Sequence, residues 1–516
     1  MNLRLYFKKD KMAIIGKLLK KTNEISYKKK FKKGKDYNNQ LRTLYKLVDK
    51  AKFTRFGNEY HFEGMVIGER LVEDYQETVP ITNYEEFYDK WLATTIAGEK
   101  NHTWPGKINH FALSSGTTGS SSKRIPVTKQ MIRSFHKTSM NQTSTFYKLN
   151  LSDEFYEAKF LAIGGSTKLK KINNRFEGDL SGILKKNTAF IFHPFTKPNN
   201  NIAKIADWNK KLEKIVEKAP SWDIGIIAGV PSWCIMVMER IVAHYKLKTI
   251  HDIWPNLEVY MHGGVYMEPY KARLDRILGK KINLLNTYLA SEGYFAYQTS
   301  ADREGMQLLL GNGIFYEFVP FNRDFFDENG NLKDKKTAFN LSQVQKGIDY
   351  ALVISTNAGL WRYMIGDLVQ FTDVENNEIK ITGRIKQFLS LVGEHLSLDN
   401  INEAIKSVGE EMEMEVDEFC IIADTENCSH KWFIGTQKKI DKELIISKID
   451  EKLQELNDDY KTCRKHNLKM PKIKVLNSDL FYAFLDRNGK TGSQNKFPRV
   501  LNQEQGTNWV NFLKKK

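Results

Sequence analysis

Residues 111–124 read FALSSGTTGSSSKR, an apolar run that gives way to serine, threonine and glycine from Ser114 to Ser122 and closes on Lys123 and Arg124. Side chains this small cannot pack a core, so the stretch must be a loop held between structured flanks. Gly116 and Gly119 admit positive φ, which lets the amides of Ser114, Ser115, Gly116, Thr117, Thr118 and Gly119 turn inward as a cradle for an anion. The hydroxyls add donors and Lys123 adds charge, so phosphate is the expected guest. A flexible Gly/Ser linker is the alternative. Against it stand the strand-like FAL before the run and a structured IPVT with a helix after it, so the loop is expected between a strand and a helix. It is not a Walker A loop, because three serines follow Gly119 where Lys-Ser/Thr belongs. The GKT at Gly489, Lys490 and Thr491 lacks the required glycine five residues earlier, where Phe484 stands.

The rest of the chain must supply what such a loop needs. With 516 residues it exceeds one core, so two or three domains are expected. Hydrophobic residues at 41% and aromatics at 12% exclude a disordered chain. No apolar run approaches the ~20 residues of a membrane span, and AIIG at 13–16 is too short for a signal sequence. A cytoplasmic enzyme is therefore expected, with Met12 an alternative start. Cys234, Cys420, Cys428 and Cys463 show no metal-like spacing. The net charge of +17 is uneven: residues 1–50 hold sixteen Lys or Arg against four acidic residues, +12 of the total. That basic arm, with KKKFKKGK at 28–35, could touch RNA or an anionic membrane surface. It lacks the interleaved pattern of a nucleic-acid module, so no nucleic-acid partner is expected.

Apolar spacing predicts helices over 37–52, 83–93, 128–147 and 203–218, and strands at 159–165 and 189–195. WDIGIIAGVPSWCIMVMERI at 222–241 reads as strand, turn and helix, and the order βαβ recurs at 257–261, 268–278 and 282–287, a largely parallel sheet. Ligands of such sheets bind beyond the carboxyl ends of the strands. There stand Gly263 and Gly264, which let a flat ring approach the backbone, then Tyr288, Ser291 and Glu292 in TYLASEGYF. A carboxylate so placed can hold Mg²⁺. Val230 and Trp233 are candidate walls of an apolar substrate pocket. Residues 306–372 are strand-rich and predict a β-barrel-like subdomain, and 400–516 alternate helices and strands as a compact α+β cap.

SSGTTGSSSK resembles the first nucleotide motif of adenylate-forming enzymes. Together with TRFG at 54–57, HGG, YLASE, RYMIGD at 362–367, GRIK at 383–386 and NKFPR at 495–499, it is similar to the acyl-acid amido synthetases, the auxin- and jasmonate-conjugating family and its bacterial relatives. The resemblance covers nearly all of the chain after the basic arm. It implies an α/β fold: a large N-terminal domain of mostly parallel sheets with the barrel-like part, and a smaller mobile α+β C-terminal domain. The corresponding boundaries are a 1–36 arm, a 37–383 adenylating domain and a 384–516 cap. ATP and Mg²⁺ are the implied cofactors. ATP would contact the loop, Gly263, Gly264, Tyr288, Ser291, Glu292, Asp367, Arg384 and Lys496, with Glu292 on the metal and Asp367 and Arg384 on the ribose. Lys386 and Gln387 would lie at the pivot, and Lys496 would neutralise charge as the α-phosphate is attacked. The implied reaction adenylates a carboxylic acid and passes the acyl group to an amino acid, in a monomer. A thioester-forming ligase using coenzyme A, and a basic-arm binder of nucleic acid or membrane, are the alternatives. The loop departs from plant members at Thr118 and Ser120–Ser122, which puts the plant substrates in question.

Overall fold

The computed structural model describes residues 20–25, 37–114, 123–264, 267–327, 330–385, 398–424, 427–437, 441–466, 468–488, 497–501 and 503–515, and Leu389, Leu391, Glu394 and Leu396 besides. The chain divides into two units, one ending at Ser114 and resuming over Lys123–Gly264 and Asp275–Lys380, the other taking in Val265–Leu274 and Ile381–Lys516. No helix among the described residues is long and apolar enough to cross a membrane.

The first unit opens with the Tyr37–Ala51 helix, whose Leu44, Leu47, Val48 and Ala51 recur on one face and are buried. TRFG then proves to be a packing device. The Thr54 hydroxyl accepts the Gly57 N–H at 3.0 Å and caps the Arg55–Glu59 helix. Phe56 stacks on Trp361 with centroids 5.5 Å apart. A Cβ on Gly57 would stand 2.2 Å from the Ala51 carbonyl oxygen, so no larger residue fits there.

Eleven strands form one sheet. Thr196–Lys197, Lys159–Ala162, Ile224–Gly229, Val259–Gly263 and Asn283–Ala290 run parallel, and the helices Trp208–Lys218, Pro231–Tyr245 and Glu268–Ile277 fall between them in the chain. Beyond Asn283–Ala290 the sheet turns antiparallel, through Gly293–Tyr297, Met306–Leu308, Glu378–Arg384, Tyr363–Asp373, Asp349–Thr356 and Ile314–Pro320. The 306–372 stretch therefore makes no separate barrel-like subdomain, and no closed barrel occurs among the described residues. Met306–Leu308 is flanked on both sides by strands of the large sheet, which splices the antiparallel half onto the parallel one. Nor is 189–195 a strand. Phe190–Phe195 coils as a short 3₁₀ segment with Pro194 inside it, a residue that cannot donate to a ladder, and only Thr196–Lys197 pairs.

A second, four-stranded sheet carries the opening motif. His110–Ser114 pairs antiparallel with Lys123–Val127, Ser114 opposite Lys123, and parallel with Arg175–Gly178. The Ser/Thr/Gly run is thus flanked by two paired strands rather than by a strand and a helix. Lys123–Val127 is an edge strand, where Pro126 is tolerated, and the Lys129–Thr145 helix starts only after Thr128 caps it.

In the second unit the sheet order is Lys472–Leu476, Ser429–Gly435, Glu418–Asp424, Val500–Leu501. Alternation sends Phe419 and Ile421 into a core with the Leu398–Glu411 and Lys442–Leu456 helices, and Cys420 and Ile422 into another with Asp479–Arg487 and Gln503–Lys514. The expected α+β cap is what forms.

Candidate active site

The place where the large sheet changes from parallel to antiparallel is a two-residue turn. Ala290 pairs with Gly293, so Ser291 and Glu292 are the turn itself, 8% and 6% exposed. Tyr288, on the strand entering it, donates its hydroxyl to Asp367 Oδ2 at 2.6 Å. Asp367 reaches it from a bulge. Opposite Ala351 and Val353 the ladder steps from Leu368 to Met364, so Ile365, Gly366 and Asp367 leave the regular pleat. Tyr363, one turn of the pleat earlier, is fully buried. Burial first, then the charge of Glu292, with Tyr84, Glu85 and Asp367 adding, hold its phenol well above the ordinary tyrosine value, so it stays protonated. Both sequence-selected carboxylates therefore act on one hydroxyl.

Tyr84 ties this cluster to the root of the Ser/Thr/Gly run. Its hydroxyl accepts the Arg124 N–H at 2.9 Å, and the Lys123 ammonium sits 4.9 Å from its ring centroid. Sequence reasoning did not single out Tyr84. The Asn83 and Glu86 capping box marks where its helix starts, but nothing local says which strand the ring will meet forty residues on.

Gly263 lies opposite Thr287, beside the strand residue Tyr288. A Cβ there would stand 2.3 Å from the Thr287 carbonyl oxygen, and the Thr287 hydroxyl donates to the His262 carbonyl at 2.9 Å. Gly264 follows, exposed. His262 is 6% exposed, and burial pushes its imidazole down to about 4, so it is neutral near pH 7. A small cavity of about 10 Å³ touches Glu292 and is walled by Met131, Phe135, Thr138, Tyr294 and Asn312. It has room for about one water. Val230 and Trp233 are not in its lining. Val230 precedes the Pro231–Tyr245 helix, beyond Gly229, which pairs with His262, and Trp233 is buried with its ring edge-on to Trp208 at 4.9 Å. Arg384 ends the Glu378–Arg384 strand, exposed, in the second unit. Ser115, Gly116, Thr117, Thr118, Gly119, Lys386, Gln387 and Lys496 lie outside the described residues.

The described residues contain no group of three or more His, Cys, Asp or Glu able to cage a metal.

Among solved structures the chain is similar to "GH3.15 acyl acid amido synthetase", with TM-score 0.76 and 17% identity over 93% of both chains. It is also similar to 2-hydroxyisobutyryl-CoA ligase in its postadenylation state, with TM-score 0.60 and 13% identity over 92% of this chain and 91% of that one. At such identities the likeness is one of fold, and the fold is that of the adenylate-forming ligases. The chain belongs to the GH3 family: its N-terminal domain description matches residues 29–174, its central domain 307–384 and its C-terminal domain 399–505. The resemblance carried by the motifs thus holds at family level. Among curated relatives, indole-3-acetic acid-amido synthetase GH3.2 of Arabidopsis thaliana is 28% identical over 166 residues, 31% of this chain and 30% of that protein. Another, GH3.4 of the same plant, is matched over 45% of its length, so the chain spans less than half the length of these relatives.

Proposed function

We propose that the protein is an AMP-forming amido synthetase, which adenylates a carboxylic acid with ATP and transfers the acyl group to the amine of an amino acid. The observation that supports this best is that the charges of Glu292 and Asp367 both bear on the buried Tyr363, that Tyr288 donates its hydroxyl to Asp367, and that Tyr84, whose phenol also bears on Tyr363, accepts the Arg124 N–H at the base of the Ser/Thr/Gly run. In this reading the run cradles the phosphates. Gly263, with no side chain, lets the adenine lie along the strand end. Asp367, one oxygen of which accepts the Tyr288 hydroxyl, would accept the ribose hydroxyls, as a carboxylate with two acceptor oxygens can. Tyr363, being protonated, adds no negative charge beside the phosphates. Glu292 would hold Mg²⁺, which supplies charge neutralisation when bound.

A carboxylate oxygen of the acid attacks the α-phosphorus and pyrophosphate leaves. Lys496 offsets the charge that develops. The amine then attacks the acyl carbonyl, loses a proton and expels AMP. No enzyme nucleophile is needed. The functional boundary falls at 383/384, between adenylating domain and cap. The second reading, a thioester from coenzyme A, draws on the shared fold of the CoA ligase; the amide is favoured because the curated relatives are named amido synthetases.

A pyrophosphate-release screen of aromatic and aliphatic acids, each with and without amino acids and with and without coenzyme A, tests both. Acid-dependent release with an amide formed only when an amino acid is present supports the proposal. A thioester product replaces it with the second reading, and no acid-dependent release from any acid sinks both.

A further inference from the structure

We propose that residues 168–197 form a docking surface for an anionic membrane leaflet, with Phe190, Phe192 and Phe195 entering the acyl-chain boundary and the surrounding lysines meeting the headgroups. The three rings are 84%, 42% and 52% exposed, on one short 3₁₀ segment of the first unit. Single exposed apolar residues are ordinary, but three large rings on six consecutive residues are not. From Thr188 to Phe195 the segment reads TAFIFHPF and carries no acid, lysine or arginine. In the chain this apolar tip is preceded by Lys185 and Lys186 and followed by Lys197, with Lys168, Lys170 and Lys171 exposed earlier in the same segment, and the Lys159 ammonium lies 5.2 Å from the Phe195 ring centroid, a cation at the base of the rings.

The charge is not cancelled locally. Residues 168–197 hold seven Lys or Arg and only two acids, Glu177 and Asp179. Glu177 is 2% exposed and is occupied by Arg124 at 3.0 Å and Arg175 at 2.8 Å. Asp179 caps the Leu180–Lys186 helix by accepting the Ser181 N–H. Both acids are thus turned to internal partners, while Lys168, Lys170, Lys171 and Lys186 ion-pair with none of the described residues. Aromatic rings ahead of a cationic base are the layering of an interfacial anchor. A single-stranded nucleic-acid platform interleaves its rings with its cations along one groove instead. The surface would bring the enzyme to a bilayer that dissolves or releases apolar acids.

The test is co-sedimentation of the full chain with phosphatidylcholine vesicles, with and without phosphatidylserine, at physiological salt. Binding is expected only when phosphatidylserine is present. The triple substitution Phe190→Ser, Phe192→Ser, Phe195→Ser should weaken it at least about tenfold and leave its thermal melt and acid-dependent pyrophosphate release unchanged. Lys170→Glu with Lys171→Glu and Lys186→Glu should weaken it too, and Phe192→Trp should blue-shift on adding vesicles. Undiminished binding in the phenylalanine variant would assign the association to the basic N-terminal residues and overturn the proposal. So would phenylalanine-dependent self-association without vesicles, phenylalanine-dependent binding of single-stranded RNA but not vesicles, or no vesicle binding by the parent chain. Because the readout is partitioning, a failed amido-synthetase assignment would leave it standing.

Discussion

At the scale of single residues, the site is defined by charge held in little water. Glu292 occupies a turn that is nearly closed to solvent, next to a phenol that cannot ionise at working pH. Replacing Glu292 by alanine removes the proposed metal contact and should lower acid-dependent pyrophosphate release on the order of 100-fold or more. Activity close to that of the parent would show that Glu292 serves packing alone. His262 offers a measurement independent of activity. Burial lowers its folded-state value from 6.5 to about 4, so the unfolded chain takes up the proton first as pH falls. Its contribution to stability is complete above about pH 6.5 and is lost between there and pH 4, by up to ~3 kcal/mol. Urea melts at pH 7.5 and pH 5 should show the loss, and His262→Gln should flatten that part of the profile.

Elements decide where those residues point. Asp367 leaves its strand because the ladder opposite Ala351 and Val353 skips residues, and a regular pleat would have kept it in line. If it holds the ribose, Asp367→Ala should raise the apparent KM for ATP about tenfold or more, the scale of a charged hydrogen bond, in initial-rate measurements at varied ATP. An unchanged KM removes the ribose assignment. Gly263 tests the neighbouring strand pair. Alanine there would press a methyl against the Thr287 carbonyl at 2.3 Å, so Gly263→Ala should cost about 1–3 kcal/mol, seen as a lower melting temperature. Both residues were legible in the sequence as motif members, but their geometry was not. A bulge and a close carbonyl depend on the partner strand, and RYMIGD and HGG carry no information about partners. Tyr84 was missed for the same reason, since its value lies in a hairpin root across the chain.

Across the whole first unit, the residue next to Tyr363 holds distant segments together. Arg362 and Glu317 are both fully buried and paired at 2.9 Å, and the guanidinium also donates to the carbonyls of Gln76, Val79 and Lys336. Arg362→Ala would strand the Glu317 carboxylate without its counter-ion, so a loss of about 3–5 kcal/mol in urea unfolding is expected, with Arg362→Met/Glu317→Met losing less. The RYMIGD arginine is thus a tie of the fold, a role hidden behind a motif that reads as nucleotide chemistry. Local pattern alone determined the βαβ run, the helix after Thr128 and the α+β cap, because helix and strand periods and capping residues act over a few positions. Tertiary structure alone decided that the 306–372 strands join the main sheet instead of closing a barrel, that the Ser/Thr/Gly run springs from two paired strands, and that Phe190–Phe195 coils outward. Edge pairing is settled by which apolar faces are left to bury, and that depends on residues hundreds of positions away.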